Sequence, residues 1–169
     1  MTIPVKAILP PREQLMEQGF VKFTLPFPHD FSHAVNSCNW EVVDKLLFEY
    51  LSPNQLLHNI LSEYQPFNFT EHIIAIREAA TDEEGIWHDD GSREIAFTWS
   101  LNDDQELEGG ELLFRRKGSF PEVITPPPRE TLIIFLTGKF GFEHKVNQVT
   151  KGTRRTIAGW CSIEEPAWV

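Results

Sequence analysis

After residue 67 the sequence consists of short strand-like segments separated by turn signals, and this pattern limits the possible fold more than any other feature. One segment, Ile95–Leu101, alternates along its length, so Phe97, Trp99 and Leu101 share one face and the residues between them share the other. The strand-like segments are residues 69–76, 95–101, 111–114, 131–136, 142–149 and 154–162. Repeated short strands with turns between them predict an all-β sandwich or barrel.

The first 66 residues have a different period. Trp40, Val43, Leu47 and Leu51 recur at helical spacing, and a second apolar stripe runs from Pro53 towards Tyr64. The sequence therefore predicts a mostly β protein with N-terminal helices. At 169 residues we expect a single domain, in which residues 1–66 form an N-terminal segment with supporting helices and residues 67–163 form the β core.

Two histidines in the first segment stand four residues apart. His29 and His33 would share one face of a helix, which could indicate a metal pair. Pro28 and the irregular residues around it argue against a helix there, and no third ligand is evident. We therefore interpret both as loop or cap histidines.

Charge and hydropathy exclude several classes of partner. A formal net charge of −10 disfavours contact with nucleic acid, because such contact depends on lysine and arginine. The longest clear apolar run, residues 132–136, is too short to span a membrane, and the N-terminus lacks the apolar core of a signal peptide. We expect a cytoplasmic protein in which Cys38 and Cys161 are buried free thiols.

The β region carries a pattern suited to a metal ion. His88 and Asp90 are two residues apart, so an extended segment directs both side chains to one side and turns Asp89 away. A third ligand must come from a distant strand, and His144 is the one histidine in the later β region. Two imidazoles and one carboxylate form the facial triad of non-haem Fe(II) sites, which leaves positions for a bidentate co-substrate and O₂.

An arginine adds a second feature to this pattern, a possible anchor for a carboxylate. Arg154 follows His144 by ten residues, and its guanidinium could fork onto a carboxylate whose other end chelates the metal. Arg155 would face the opposite way on a strand. Thr98 or Ser100 could add a hydroxyl to the same carboxylate. A histidine and an aspartate at this spacing are common by chance, but the ordered set of four is not.

The motifs together resemble the Fe(II)- and 2-oxoglutarate-dependent dioxygenases, in particular their prolyl-4-hydroxylase-like branch. Besides the ligand pattern, the resemblance covers residues 97–102, 109–114, 128–135, His144-x-Val146, Gly152-x-Arg154 and Trp160. It implies a double-stranded β-helix, or jelly-roll, core packed against two or more helices. It also implies that His88, Asp90 and His144 hold Fe(II), that Arg154 holds the distal carboxylate of 2-oxoglutarate, and that Trp160 helps to wall the pocket.

The sequence departs from this family at two positions near the co-substrate. Many relatives have a tyrosine where Ser100 stands, so that contact is lost or is made here by another hydroxyl such as that of Thr98. Many also have a tyrosine about ten residues before the first iron histidine, where this chain has Glu78 or Ala79. Neither change removes a metal ligand.

The resemblance implies an oxygenase that uses O₂ and 2-oxoglutarate to hydroxylate an unactivated C–H bond and releases succinate and CO₂. The substrate would be a peptidyl residue, an amino acid or a small metabolite. The alternatives are a cupin-type metalloprotein without 2-oxoglutarate, which leaves Arg154 unexplained, and a noncatalytic binding module on the same barrel. Loops at 80–87 and 115–128 are candidates for a lid. The acidic residues 82–84 could select a cationic substrate, although a solvated acidic loop is the commoner explanation.

Overall fold

The computed structural model describes residues 8–103, 106–124 and 128–166. The helices are α1 (Arg12–Gln18), α2 (His29–Asn36), α3 (Trp40–Leu51) and α4 (Leu56–Ser62), with one short 3₁₀ turn at Gly138–Phe140. The strands are β1 (Phe20–Thr24), β2 (Phe69–Glu78), β3 (Ile95–Ser100), β4 (Glu108–Gly109), β5 (Leu112–Arg116), β6 (Glu122–Ile124), β7 (Thr131–Leu136), β8 (Phe142–Val146), β9 (Val149–Lys151) and β10 (Thr153–Ser162).

The strands form antiparallel sheets of five, three and two strands. The five-stranded sheet has the order β1-β7-β3-β10-β2, so the late strand β10 lies between two early ones. The three-stranded sheet has the order β6-β5-β8, and β4 pairs with β9. The mostly β prediction with N-terminal helices is confirmed.

One face of the five-stranded sheet packs against the helices. Trp99 of β3 is fully buried there, stacked on Phe31 of α2 with ring centroids 4.9 Å apart. Phe27 meets the same indole edge-on at 4.8 Å, and the indole N–H donates to the carbonyl of Leu25 at 3.1 Å. Aromatic burial with a satisfied N–H makes this a stabilising contact.

Helix α3 forms for reasons visible in the sequence. The Asn39 side chain accepts a hydrogen bond from the Val42 N–H and so caps the first turn. The helix then buries Val43, Leu47 and Leu51, which are residues of the predicted stripe.

Other expectations need correction. Helix α2 begins directly after Pro28. Proline is tolerated at a helix start, because the first N–H groups of a helix have no helical partner. The interpretation of His29 and His33 as loop histidines is therefore wrong. Cys161 is a buried free thiol as expected, whereas Cys38 is exposed. The predicted strand at 142–149 is two strands, because the chain leaves β8 at Val146 to pair β9 with β4.

The candidate lid at residues 115–128 is largely a β-hairpin in the part that the structure describes. Strand β5 extends to Arg116 and pairs with β6, a strand that sequence periodicity did not indicate. Residues 125–127 of that loop lie outside the described residues.

The other face of the five-stranded sheet points towards the three-stranded sheet. Phe135 of β7 contacts Phe114 of β5 and His144 of β8, with centroid distances of 5.9 and 4.7 Å. We call this side of the large sheet its inward face. Among the described residues, no helix is long and apolar enough to cross a membrane.

Candidate metal centre

Three side chains predicted as metal ligands meet at the inward face. The Nε2 atom of His144 lies 3.3 Å from Oδ2 of Asp90, and Nε2 of His88 lies 3.6 Å from Oδ1 of the same carboxylate. The ligand atoms all lie within 4.8 Å of one another, and no other such group of three occurs in the described ranges. Two imidazoles and a carboxylate at this separation could bind one divalent transition-metal ion.

The two histidines are joined through their backbones. His88 and His144 form an isolated antiparallel bridge, with N–H to carbonyl distances of 3.0 and 2.9 Å. The Nδ1 atom of His88 lies 2.8 Å from the carbonyl oxygen of Ile86. Because a carbonyl only accepts, Nδ1 is the donor in this contact, and in the neutral ring Nε2 is then the nitrogen that can bind a metal.

His144 is the enclosed ligand of the three. Its side chain is 8% exposed, whereas that of His88 is 47% exposed. Burial lowers the pKa of His144 to about 4, so the imidazole is neutral near pH 7 and can coordinate. The open side of the centre is therefore the side of His88.

Asp90 and Asp89 point in different directions. The carboxylate of Asp90 faces the two histidines, while that of Asp89 binds Lys117 Nζ and accepts the Gly91 N–H at 2.9 Å. The Lys117 hydrogen bond, with that of Gly91, holds the pKa of Asp89 below its ordinary value. Asp89 thus fastens the loop, and Asp90 is the carboxylate available to a metal.

Arg154 lies on the inward face of β10 with almost no exposure. It is 3% exposed, and its Nε has no hydrogen-bond partner among the described groups. Burial lowers the pKa of Arg154 to about 10, which leaves the guanidinium charged near neutral pH. Gly110 makes room for it, because a Cβ there would lie 2.9 Å from Arg154 Cδ. Arg155 lies on the opposite face and pairs with Asp103 at 3.1 Å.

Hydroxyl groups accompany Arg154 on the same face. Thr98 and Thr156 each have a buried Oγ1 without a partner in the described part of the chain. Ser100, which is opposite Thr156 in the β3–β10 register, is fully buried and its Oγ accepts the Asn102 N–H at 3.4 Å. Thr156 was missed from the sequence, although its position two residues after Arg154 on a strand indicates the same face.

The unpaired atoms test whether a metal and a dicarboxylate fit this site. Of seven buried side-chain atoms without partners in the described ranges, five belong to the ligand cluster or to the part of this face around Arg154, and Ser162 lies at the far end of the same face. They are Asp90 Oδ2, Thr98 Oγ1, His144 Nδ1, Arg154 Nε and Thr156 Oγ1. Because buried polar groups are normally paired, a concentration of unpaired ones indicates a ligand site. A metal ion at the triad would supply a partner for Asp90 Oδ2, and a carboxylate at Arg154 would supply partners for the guanidinium and the two hydroxyls.

Trp160 is half-buried further along the inward face of β10. The guanidinium of Arg93 lies 5.9 Å from the centre of its ring. Its role as a pocket wall stays a prediction.

The acidic loop is engaged with the protein itself. Asp82 accepts hydrogen bonds from Arg77 Nε at 2.8 Å and from the Val149 N–H at 2.7 Å. Although burial opposes it, these bonds hold the pKa of Asp82 below its ordinary value. Glu84 accepts from the Gln148 N–H and from Lys145 Nζ, both at 3.0 Å. These carboxylates therefore fasten residues 82–84 to the strands beside them.

Comparison with known proteins agrees with this chemistry. A family model described as the 2OG-Fe(II) oxygenase superfamily matches residues 61–162. A PKHD-type hydroxylase of Picosynechococcus sp. is 37% identical over 67 residues, which is 40% of this chain. The matched stretch spans only 28% of that relative's length.

Solved structures share the fold at low identity. A prolyl-4-hydroxylase of Pseudomonas putida superposes with a TM-score of 0.69 and 17% identity, covering 96% of both chains. A prolyl hydroxylase of Trichoplax adhaerens, solved with a hypoxia inducible factor peptide fragment, has a TM-score of 0.64 and 15% identity over 89% of this chain and 86% of that one. At these identities the likeness concerns the fold alone.

Proposed function

Because the chain belongs to the 2OG-Fe(II) oxygenase superfamily, we propose that it hydroxylates an unactivated C–H bond with Fe(II), 2-oxoglutarate and O₂. The observation that supports this most is the buried Arg154, whose Nε has no partner among the described residues, on the inward face towards which the His88–Asp90–His144 cluster also lies. Each turnover would convert 2-oxoglutarate and O₂ to succinate and CO₂ and insert one oxygen atom into the substrate.

In this proposal each residue has a separate role. His88, Asp90 and His144 hold Fe(II), which when bound supplies the oxidative decarboxylation of 2-oxoglutarate and the oxidation of the C–H bond. Arg154 binds the distal carboxylate of 2-oxoglutarate through charge-assisted hydrogen bonds. Thr98 and Thr156 donate their hydroxyls to the same carboxylate, and Ser100, whose Oγ accepts the Asn102 N–H, is a further candidate donor.

We further propose that substrate approaches on the side of His88. That imidazole is the exposed ligand, and Ile86 beside it is also exposed. Trp160 would wall the pocket deeper on the inward face. A peptidyl residue, a free amino acid or a small metabolite fits this open approach, and the peptide bound to the Trichoplax protein supports the first.

The finer description of the fold belongs to the same proposal. We propose that the opposed five- and three-stranded sheets are the two halves of a double-stranded β-helix, with the helices packed on the outer face of the larger half. Residues 1–66 and 67–163 would then act as one domain, since α2 and β3 share the core around Trp99. The buried free thiol of Cys161 is consistent with the cytoplasm.

Anaerobic addition of Fe(II) and 2-oxoglutarate tests the function. We expect a weak visible charge-transfer band, and succinate once air is admitted together with a panel of amino acids and peptides. A cupin-type metalloprotein would bind the metal without the band, and a noncatalytic module would show the band without succinate. Absence of succinate with every candidate substrate would contradict the proposal.

A further inference from the structure

Asp90 differs from the other two candidate ligands in what holds its backbone. His88 and His144 hold each other through two backbone hydrogen bonds. Asp90 lies in the loop that follows, outside any strand, and has φ of 60°. That left-handed conformation is uncommon for residues other than glycine, although aspartate adopts it more readily than most, and surrounding contacts stabilise it.

Two contacts hold this backbone: the Asp89 carboxylate accepts the Gly91 N–H across Asp90, and Arg93 bonds to Asp90 itself. The Nη1 of Arg93 donates to the carbonyl oxygen of Asp90 at 3.2 Å. The remaining side of the guanidinium forks onto the carboxylate of Glu71, from Nε at 3.1 Å and from Nη2 at 3.2 Å. The guanidinium is therefore fixed in a bidentate ion pair while its third N–H group reaches the metal-ligand loop.

The carboxylate that fixes Arg93 is itself placed by the large sheet. Glu71 lies on β2, directly opposite Trp160 of β10 in the antiparallel register, and the Arg93 guanidinium lies over that indole. The backbone of Arg93 is held as well, because its carbonyl accepts the Thr137 hydroxyl. Asp90 is thus connected to the five-stranded sheet by a side-chain clamp of Arg93, Glu71 and Trp160.

We propose that Arg93 is a positioning residue for the metal site, which it serves by holding Asp90 in its left-handed conformation with the carboxylate directed at the two histidines. This proposal rests on the proposed function, because it requires Asp90 to be a metal ligand. Glu71 and Trp160 act through Arg93. Groups outside the ligand set that orient a ligand change metal affinity by about 10- to 100-fold when they are removed.

A purely structural ion pair would behave differently. Arg93 and Glu71 are 32% and 16% exposed, and an ion pair of that kind could contribute to folding alone. Lys117 supplies a matched control, because it fastens the same loop through the Asp89 carboxylate and its hydrogen bond does not go to Asp90.

Calorimetric titration of the metal-free protein with Co(II) at fixed pH separates the two explanations. We expect Arg93→Met to raise the Co(II) dissociation constant about 10-fold or more. Arg93→Lys keeps the charge but cannot fork onto Glu71 and reach the Asp90 carbonyl together, so it should recover only part of the loss. Glu71→Gln should weaken binding in the same direction, and Lys117→Met should leave the constant within about twofold.

A double-mutant cycle shows whether Arg93 acts through Asp90. In an Asp90→Ala background, Arg93→Met should change the remaining Co(II) affinity by less than about twofold. An undiminished effect in that background would overturn the proposal, as would an Arg93→Met protein that binds Co(II) like the wild type. If circular dichroism shows that Arg93→Met does not fold, Glu71→Gln is judged by the same two criteria. Failure of the wild-type protein to bind Co(II) would instead contradict the metal centre itself.

Discussion

The two faces of the five-stranded sheet are built from alternate residues of the same strands, yet they have opposite characters. The helix-facing side presents Phe97, Trp99 and Ile157, all fully buried against apolar neighbours. The inward face presents Thr98, Arg154 and Thr156, also buried but with polar atoms that lack partners in the described part of the chain.

The difference between the faces separates stability from binding. Burial of an apolar side chain stabilises the fold by about 1.5–3 kcal/mol, whereas an unsatisfied buried polar group costs about 1–3 kcal/mol. Apolar burial on the helix-facing side therefore offsets the free energy that the unpaired polar groups of the inward face cost. That cost remains until a ligand supplies the missing hydrogen-bond partners. Neighbouring positions on one strand should then respond to substitution in different ways.

The largest effect on stability is expected at Trp99. Trp99→Ala should lower the free energy of unfolding by about 3–5 kcal/mol, because it leaves a cavity beside Phe27 and Phe31. Urea denaturation measures this change. The matched control is Thr98→Ala, one residue away on the inward face, which should cost less than about 1 kcal/mol since its hydroxyl has no partner to lose. Equal losses at the two positions would break the comparison.

The second effect concerns ligand-dependent stability. With Mn(II) present and 2-oxoglutarate at 100 times its dissociation constant, the wild type should gain about 2.7 kcal/mol, or roughly 5–11 °C in melting temperature. Arg154→Met should lose the 2-oxoglutarate part of that gain while the ligand-free protein stays as stable or becomes more so. Arg155→Met, on the opposite face, is the control and should keep the gain. If Arg154→Met keeps it, the carboxylate anchor is misassigned.

The third effect is a pH dependence on the inward side. The folded-state pKa of His144, about 4, lies below its unfolded value, so the unfolded chain takes up a proton first as the pH falls. The free energy of unfolding of the metal-free protein should therefore fall between about pH 6.5 and pH 4, by up to about 1.4 kcal/mol per pH unit. His144→Gln should flatten this slope. An identical slope in both proteins would argue against a buried neutral imidazole.

The smallest effect is expected at Thr156. Thr156→Val replaces an unpaired buried hydroxyl with a methyl group of similar size, so the ligand-free protein should gain up to about 1 kcal/mol of stability. The same change should weaken 2-oxoglutarate binding by about 1 kcal/mol, because one donor to the carboxylate is lost. Calorimetric titration measures the second quantity. A stability loss together with unchanged binding would show that this hydroxyl belongs to the fold.

Sequence periodicity predicted the separation of the two faces because a strand has a side-chain period of two. Strand β3 shows this directly, since Phe97 and Trp99 pack towards the helices while Thr98 faces inward. The grouping of His88, Asp90 and His144 also followed from residue types, although Asp90 reaches the group from a left-handed loop residue and not along the extended segment that its spacing suggested.

What the sequence did not predict depends on contacts between distant segments. Helix α2 is favoured by the burial of Phe31 against Trp99, which outweighs the irregular local signal around Pro28. The use of Asp82 and Glu84 as internal hydrogen-bond acceptors depends on backbone N–H groups more than sixty residues away. The contact of Arg93 with Asp90 depends on Glu71, whose position is set only when β2 and β10 pair.

The place of β10 between β3 and β2 has a consequence for the order of folding. In the described part of the chain, β2 is paired with β10 alone, so no large sheet can include β2 before residues 153–162 are available. These pairings are distant in sequence, which slows folding and leaves unpaired strand edges open to aggregation in the meantime. Arg154 is part of β10, so the proposed 2-oxoglutarate site is complete only after this strand has paired. Binding of 2-oxoglutarate would therefore indicate that the large sheet has formed during refolding or synthesis.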